Sequence, residues 1–453
     1  MPSQTVLQLT FDFLPHLPVV VQQHEGQLSS DAGLLPLREF DQRWIYSQRF
    51  AACLVDPKPS REHSLLQMVR QRLFGILAGY EDCNDHDTLR DDPVFKLIAD
   101  RLPDDQPLAS QPTLSRFENL ATPAVLQKLI DFTIDTGIER LKQKHGGQLP
   151  ASITLDLDAT DDPTHGHQQL TLFHGYFGQY QYFPLIISEP STKHIFLAHL
   201  RPGTVHAALG ADDDLMRVVN ALRKARPDIV IHVRADAGFG VPWMYQICEE
   251  NRLTYTFGFS ANPRLKRLTE GLMNQAIQQF QQSKQKQRLF DCFDYQADTW
   301  NQPRRVIAKA ECHSIGTNLR FTISNRPGIQ SPDDGEREYD HYIQRGESEQ
   351  RMDELKNGLH IDRLSCHRFM ANFFRLLLHT AAFNLLNAIR DHQAMPEILR
   401  VGQPCTWRLM LIKVAAVIHQ SARRIVVKLS GNWPWWHLYQ QVTGRSLSFW
   451  CGP

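Results

Sequence analysis

The hydrophobic rhythm of the chain changes near residue 147. Before it, apolar side chains recur every three or four positions. Leu65, Leu66, Val69, Leu73, Ile76 and Leu77 define one helical face, with Gly79 placed to end the helix. Ser30 or Asp31 is placed to cap an earlier helix through LLPLREFDQRW, and Asp91-Asp92-Pro93 opens a short one. No strand pattern interrupts residues 30–146, while LPHLPVVVQQ near the N-terminus reads as a strand or extended arm. After GGQLP at 146–150 the period becomes two. Ile153–Asp158 alternates, with Ile153, Leu155 and Leu157 on one face and Thr154, Asp156 and Asp158 on the other. Strands are predicted at Gln169–Tyr176, Tyr182–Ser188 and His194–Leu200, forming an antiparallel meander. A helix over Asp212–Lys224, a strand over Asp228–Arg234, a helix through Met244–Asn251 and a strand over Leu253–Phe259 follow. That order predicts an RNase-H-like fold of the α+β / α/β class, a mixed sheet flanked by helices.

Residues 261–332 hold a polar helix and three strand-like pieces, too much for a connecting loop, and read as an inserted β-rich subdomain. A long apolar helix spans 368–390. Beyond it come a helix over Thr406–Ser421, the basic strand-like RRIVVKL and the tryptophans Trp433, Trp435 and Trp436, read as a packing corner or interface anchor. The expected division is a helical N-terminal domain (1–147), a core in two parts (148–260 and 333–390) around the insertion (261–332), and a C-terminal basic region (391–453).

With 42% hydrophobic and 22% charged residues in 453, neither disorder nor a fibre is indicated. No apolar run approaches the roughly 20 residues of a membrane helix, and no secretory signal opens the chain. The eight cysteines form no CxxC pair, which argues against a zinc finger or a disulfide framework and fits a reducing cytosol. The net charge of zero conceals an asymmetry: from Arg363 onward there are eleven Lys/Arg and two Asp/Glu. Arg423, Arg424 and Lys428 sit there among apolar residues, as a surface contacting a DNA backbone requires. Within SQPTLSRFENL, Thr113, Ser115 and Arg116 lie near a capped helix start, the presentation of a groove-reading helix. No GxxxxGK[ST] loop is present, which argues against an ATP-driven enzyme.

The candidate chemistry lies in three carboxylates. Asp158 ends the first strand of the predicted sheet and Asp236 ends a later one, and in an RNase-H-like sheet these strands are neighbours. Asp156 shares the face of Asp158 and is an alternative to it. Residues Tyr342–Lys356, read as one helix, put Tyr342, Arg345, Glu349 and Lys356 on one face. Taken alone this is a solvated surface helix. Packed on the sheet, it adds Glu349 to the two aspartates. Carboxylates so close repel unless a cation lies between them, and hard oxygen ligands suit Mg²⁺, with Mn²⁺ in its place. Two such ions support phosphodiester cleavage.

The spacing Tyr342-x2-Arg345-x3-Glu349-x6-Lys356 resembles the Tyr-Arg-Glu-Lys signature of cut-and-paste DDE insertion-sequence transposases. LDLDATDDPTHG and RADAGFG resemble the regions of that family carrying its first and second aspartates, and GYEDCNDHDTLRDDP with ASQPTLSRFEN resembles the N-terminal region of one subgroup. The resemblance implies that Asp158, Asp236 and Glu349 hold two Mg²⁺ ions, and that Arg345, Lys356 and Tyr342 contact phosphates of the transposon end. It also implies that Trp300, in the insertion, stacks on a flipped base. DNA is then the partner, as terminal inverted repeats and as target, with a homodimer pairing two ends and a hairpin intermediate on the cut end. Gln350 stands where relatives often have Asn, and Ala237 where Ser is common. A DNA-binding regulator or domesticated relative that keeps the fold without transposing, and a nuclease without strand transfer, are the alternatives.

Overall fold

In the computed structural model, which describes residues 8–11, 17, 19–22, 26–56 and 62–444, the period-two segments join one eight-stranded mixed sheet. Its strands are β1 (Ser152–Ala159), β2 (Leu185–Glu189), β3 (His194–His199), β4 (Val230–Ala235), β5 (Thr254–Phe259), β6 (Gln287–Tyr295), β7 (Arg304–His313) and β8 (Gly316–Ser324). The spatial order is β6-β7-β8-β5-β4-β1-β2-β3. β1, β4 and β5 run parallel, whereas β2 pairs antiparallel with β1 and β3 antiparallel with β2. This is the RNase-H-like arrangement, with β1 and β4 adjacent at its centre. The alternation explains the burial: Leu155, Leu157, Ile231 and Val233 are fully buried on one face.

The helices that matter for the site are α1 (Leu65–Ala78), α2 (Gln111–Glu118), α3 (Pro123–Lys144), α4 (Ala211–Ala225), α5 (Pro242–Glu250), α6 (Pro332–Ile343), α7 (Gly346–Asp353) and α8 (Phe369–Arg390). α1 begins in a Ser64/Gln67 capping box and ends at Gly79 with φ 91°, a left-handed conformation that favours glycine. α3 and α8 grip the β3 edge of the sheet. Thr133 Oγ1 donates to the Phe196 carbonyl at 2.8 Å, and the Asn384 amide brackets Ile195, accepting from its N–H and donating to its carbonyl, both at 2.9 Å. A buried knot ties the N-terminal helices to α8: Glu118 of α2 accepts from Arg72 of α1 at 3.1 Å and from Arg375 of α8 at 2.8 Å. Burial pushes the Glu118 carboxyl up, but Arg375 and Arg72 outweigh it and hold the group down at about 2.

Several expectations are revised. The β-rich insertion is not set apart from the sheet: β8 pairs antiparallel with β5, so β6–β8 extend the catalytic sheet. Gln169–Tyr176 does not join the meander. Only Leu172–His174 is a strand, in a small separate sheet with Asp162–Pro163 and Gln179–Tyr182, because its apolar side chains have no layer to cover them. The helix over Thr406–Ser421 is a short helix, Pro404–Trp407, a π turn at Arg408–Ile412, and then a strand, Ala416–Gln420. That strand lies between Ile425–Leu429 and the N-terminal Gln27–Ser29, so the two ends of the chain share a three-stranded sheet. Asp31 does not cap a helix. It is buried, takes the Lys413 ammonium at 2.6 Å, and leaves Gly33 as the N-cap. α8 is long and apolar enough to cross a membrane by composition, contrary to the run-length reading, yet 89% of its apolar window is buried in the core. The LPHLPVVVQQ stretch lies partly outside the described residues, where Val19–Gln22 pairs with Gln8–Phe11; Cys451 lies wholly outside them, and the other seven cysteines are free thiols.

Candidate active site

β4 and β1 run parallel with Val230 beside Ser152 and Ala235 beside Leu157. Asp158 and Asp236 each come one residue after that last pair. The register therefore delivers both carboxylates to neighbouring strand ends, where adjacent strands lie about 5 Å apart. Asp236 is held by its own turn, since its Oδ1 accepts from the Gly238 N–H at 2.9 Å. Asp158 keeps only 14% of its side chain exposed and accepts from Arg345 Nη1 at 2.7 Å. Burial pushes its carboxyl up to about 6. Arg345 and the nearby Ser348 hydroxyl work against that rise, and the charges of Asp156 and Asp236 add to it. Two acids at adjacent strand ends, one of them raised by burial with its neighbour's charge adding to the rise, form a donor set that fits a hard divalent cation.

Asp156, left open as the alternative ligand, is fully buried and fully engaged. Arg234, its partner across β4, binds both its oxygens, at 2.7 and 3.0 Å, and Arg351 of α7 adds a third contact at 2.6 Å. It therefore works as the anchor that fixes α7 to the sheet, one rung below the Asp158–Asp236 pair.

The helix expected over Tyr342–Lys356 is broken. α6 stops at Ile343, the chain tightens through Gln344–Arg345, α7 runs from Gly346 to Asp353, and a π turn follows over Glu354–Gly358. The break is made by short-range bonds: Arg345 N–H to the Tyr342 carbonyl at 2.9 Å and Ser348 N–H to that of Arg345 at 2.7 Å. Tyr342 packs down onto the sheet. A Cβ added at Gly258 of β5 would lie 2.8 Å from both Tyr342 Oη and the Ala237 nitrogen, so glycine at 258 is what admits the ring beside Asp236.

Glu349 is not in contact with the aspartates. Its side chain is 75% exposed, and its link to them is Arg345, whose Nη2 lies 3.6 Å from Glu349 Oε1 while Nη1 is on Asp158. One guanidinium thus sits between the first and third acids. Lys356 pairs with Asp161 at 2.9 Å, and Asp161 also accepts from Gln179 at 3.1 Å.

The remaining expected DNA contacts divide. Trp300 is corrected: at 6% exposure it is a core residue, enclosed by Tyr245, Phe259 and Tyr295 at ring separations of 5.4 to 5.6 Å with the Arg304 guanidinium 5.4 Å from its ring. A ring covered this way cannot receive a base. Exposed aromatics lie instead on the hairpin that follows Asp158: Phe173, Phe177, Tyr180 and above all Tyr176, which is 87% exposed. The sequence signal was available, because residues 164–182 carry no Asp, Glu, Lys or Arg among five Phe/Tyr. Arg116 is exposed in the last turn of α2, not at its start; its Nη2 lies on Thr113 at 3.0 Å, and Thr113 borders a surface cleft that contains Arg90 and Arg101. Arg423, Arg424 and Lys428 are exposed on the hairpin formed by Ala416–Gln420 and Ile425–Leu429.

Comparison with known proteins bears on what this arrangement does. A cryo-EM structure of a piggyBac transposase synaptic complex with hairpin DNA aligns at 11% identity over 80% of this chain and 75% of that chain, with a TM-score of 0.40; the fold assignment rests on the strand order instead. No curated protein sequence matches. A family model described as "Transposase DDE domain group 1" matches residues 11–447. DDE transposases are divalent-metal-dependent enzymes, in keeping with the acid pair at the ends of β1 and β4. With that match spanning nearly its whole length, the chain belongs to the DDE transposases of group 1.

Proposed function

We propose that this chain excises an insertion sequence by cutting and pasting, through two Mg²⁺ ions, or Mn²⁺ in their place, held by Asp158, Asp236 and Glu349. It binds the terminal inverted repeats, pairs two ends as a homodimer, frees 3′-hydroxyls with water and transfers them to target DNA, by way of a hairpin on the cut end. The observation that carries this reading is the register that brings Asp158 and Asp236 to adjacent strand ends beneath Tyr342 and Arg345. Divalent ions at these acids supply nucleophile activation and stabilisation of the leaving oxygen.

The chain's own residues do the rest. Arg345 is shared by Asp158 and Glu349, and a phosphate oxygen competes for it with bidentate geometry. Once DNA engages Arg345, both carboxylates lose their common cation together. The acids are then released for ions when substrate arrives. Lys356, on Asp161, grips a phosphate further along, and Tyr342, packed beside Asp236, orients the backbone between them. Tyr176 and its neighbours on the hairpin offer stacking faces for bases next to the cut, a role sequence reasoning gave to Trp300. Arg116 reads the element end, and Arg423, Arg424 and Lys428 hold flanking phosphates.

The test is Glu349→Gln with a supercoiled donor plasmid. End binding by gel shift should persist while Mg²⁺-dependent cleavage falls below detection. Normal cleavage by the variant would remove Glu349 from the site, and absence of cleavage by the unaltered chain would favour a DNA-binding regulator.

A further inference from the structure

The face of β4 that ends in Asp236 begins in a second polar cluster. His232, Arg234 and Asp236 are alternate residues and point the same way. Around His232, α6 contributes Glu338 and His341, three residues apart and hence on one side of the helix. Nitrogen or oxygen atoms from His232, Glu338 and His341 all lie within 4.8 Å of one another, with His232 Nε2 3.9 Å from Glu338 Oε1. His232 is four residues from Asp236, about 13 Å along the strand, with the Asp156–Arg234 ion pair between the two clusters.

We propose that His232, Glu338 and His341 form a second metal site, for a borderline transition ion such as Zn²⁺, that clamps α6 to β4. His232 is 3% exposed, and its Nε2 has no hydrogen-bond partner, a costly state for a buried polar atom that a metal bond would relieve. Its Nδ1 lies 2.9 Å from Thr254 Oγ1, and the Thr254 hydroxyl donates onward to the Ile231 carbonyl at 3.4 Å. The hydroxyl can then accept from Nδ1–H, the tautomer that leaves the Nε2 lone pair free for a metal on the side of Glu338. A partner on the far nitrogen is how a ligating histidine is oriented. The second imidazole is prepared alike: His341 Nδ1 is also buried and unpartnered. Burial, Arg326 and Arg234 lower the proton affinity of both rings, so both are neutral ligands at neutral pH.

Glu338 completes the set. Its Oε1 accepts from the Thr256 and Ser324 hydroxyls, and its Oε2 pairs with Arg326 Nη1 at 2.9 Å. Arg326 is the resident competitor for an incoming cation, but 37% of its side chain is exposed, so it can leave for solvent. His232 and His341 line a surface cleft together with Ser152, Thr154, Pro190 and Arg326, from which a water molecule can supply a fourth ligand. Tetrahedral bonds near 2 Å put ligand atoms about 3.3 Å apart, so the three side chains, now within 4.8 Å of one another, draw together on the ion. Two imidazoles and one carboxylate select Zn²⁺ or Co²⁺ over Mg²⁺, which separates this site from the all-oxygen acids at the other end of β4. The clamp holds the helix that delivers Tyr342 and leads into Arg345, so it sets the position of both.

This inference stands apart from the proposed catalytic assignment, and its test is run without it. In the full chain carrying Asp158→Asn and Asp236→Asn, titration with Co²⁺ should give the intense visible absorption of four-coordinate cobalt, saturating at one ion per chain. Adding His341→Gln should abolish that spectrum and weaken Zn²⁺ binding by about 100-fold, while far-UV dichroism stays that of the parent. Arg326→Gln, which removes the competitor, should tighten Zn²⁺ binding and raise the zinc-dependent gain in melting temperature. A cobalt spectrum unchanged by His341→Gln, the absence of four-coordinate bands, or Arg326→Gln weakening the ion would each overturn the proposal.

Discussion

The two ends of β4 carry similar residues in opposite states. At the C-terminal end, Asp236 and its neighbour Asp158 stand beside solvent with a shared, movable Arg345, and the third acid, Glu349, is outside the cluster. At the N-terminal end, His232 and Glu338 are buried, and their hydroxyl partners Thr254, Thr256 and Ser324 come from strands of the sheet itself. Between them lies Asp156–Arg234, buried and saturated with contacts. A polar group on a strand can thus be structural or reactive according to what surrounds it. The middle rung, an ion pair closed on itself, stabilises, and the rungs above and below it are the ones we propose to take cations.

The largest expected effect falls on the middle rung. Asp156→Asn leaves Arg234 and Arg351 buried without their anion and should cost about 3–5 kcal/mol of stability. Chemical denaturation measures this, and a loss under 1 kcal/mol would place Asp156 among the reactive acids instead. Gly258→Ala comes next. A methyl there meets Tyr342 Oη and the Ala237 backbone at 2.8 Å, which predicts roughly 1–3 kcal/mol of destabilisation and reduced cleavage as Tyr342 is displaced. Unimpaired cleavage would show that the position of Tyr342 does not matter.

Asp158→Asn should act in the other direction. The folded-state carboxyl is raised to about 6 from an ordinary value near 3.8, so its ionisation opposes folding. That penalty is absent at acid pH, grows as pH climbs from about 4 to 6, and is complete above 6. In buffer without divalent ions at pH 7.5, chemical denaturation should therefore find Asp158→Asn the more stable chain, by up to about 3 kcal/mol, since the value near 6 already includes the Arg345 pairing. The same titration predicts that divalent-ion affinity at this end of β4 declines as pH drops below about 6, because a proton then competes for Asp158. Calorimetric ion titration at pH 5 and 7.5 checks this. The smallest effect belongs to the rim: Lys428→Ala should lower DNA affinity only a few-fold and reduce the salt slope by about one.

Much of this was legible in the residues. Strict alternation in ITLDLD and DIVIHVR marks two strands that end in aspartates, and the strand and helix order gives the fold. What stayed hidden depends on contacts between distant segments. Asp156 and Asp158 are equivalent by periodicity, and only the cross-strand register, with Arg234 beside Asp156, separates them. Trp300 reads as a free platform until Tyr245, Phe259 and Tyr295 close around it from separate elements. Residues 406–421 carry enough apolar side chains to satisfy a helical period. Their buried members Val414, Ala416 and Ile418 follow the strand period instead, because Gln27–Ser29 offers an edge to pair with. The break before α7 falls at Gly346, a weak helix former, and the Arg345–Asp158 pair beside it joins segments far apart in the chain.

The central claim is that Asp158 and Asp236 bind the ions that cut DNA, and metal-specificity rescue tests it most directly. Asp236→Cys should be inactive on an element end in Mg²⁺, which binds thiolate poorly, and should regain cleavage in Mn²⁺. The unaltered chain should cut in either ion. Mg²⁺-dependent cleavage by Asp236→Cys at the unaltered rate, or no recovery in Mn²⁺ by a variant that still folds and binds the end, would contradict the account.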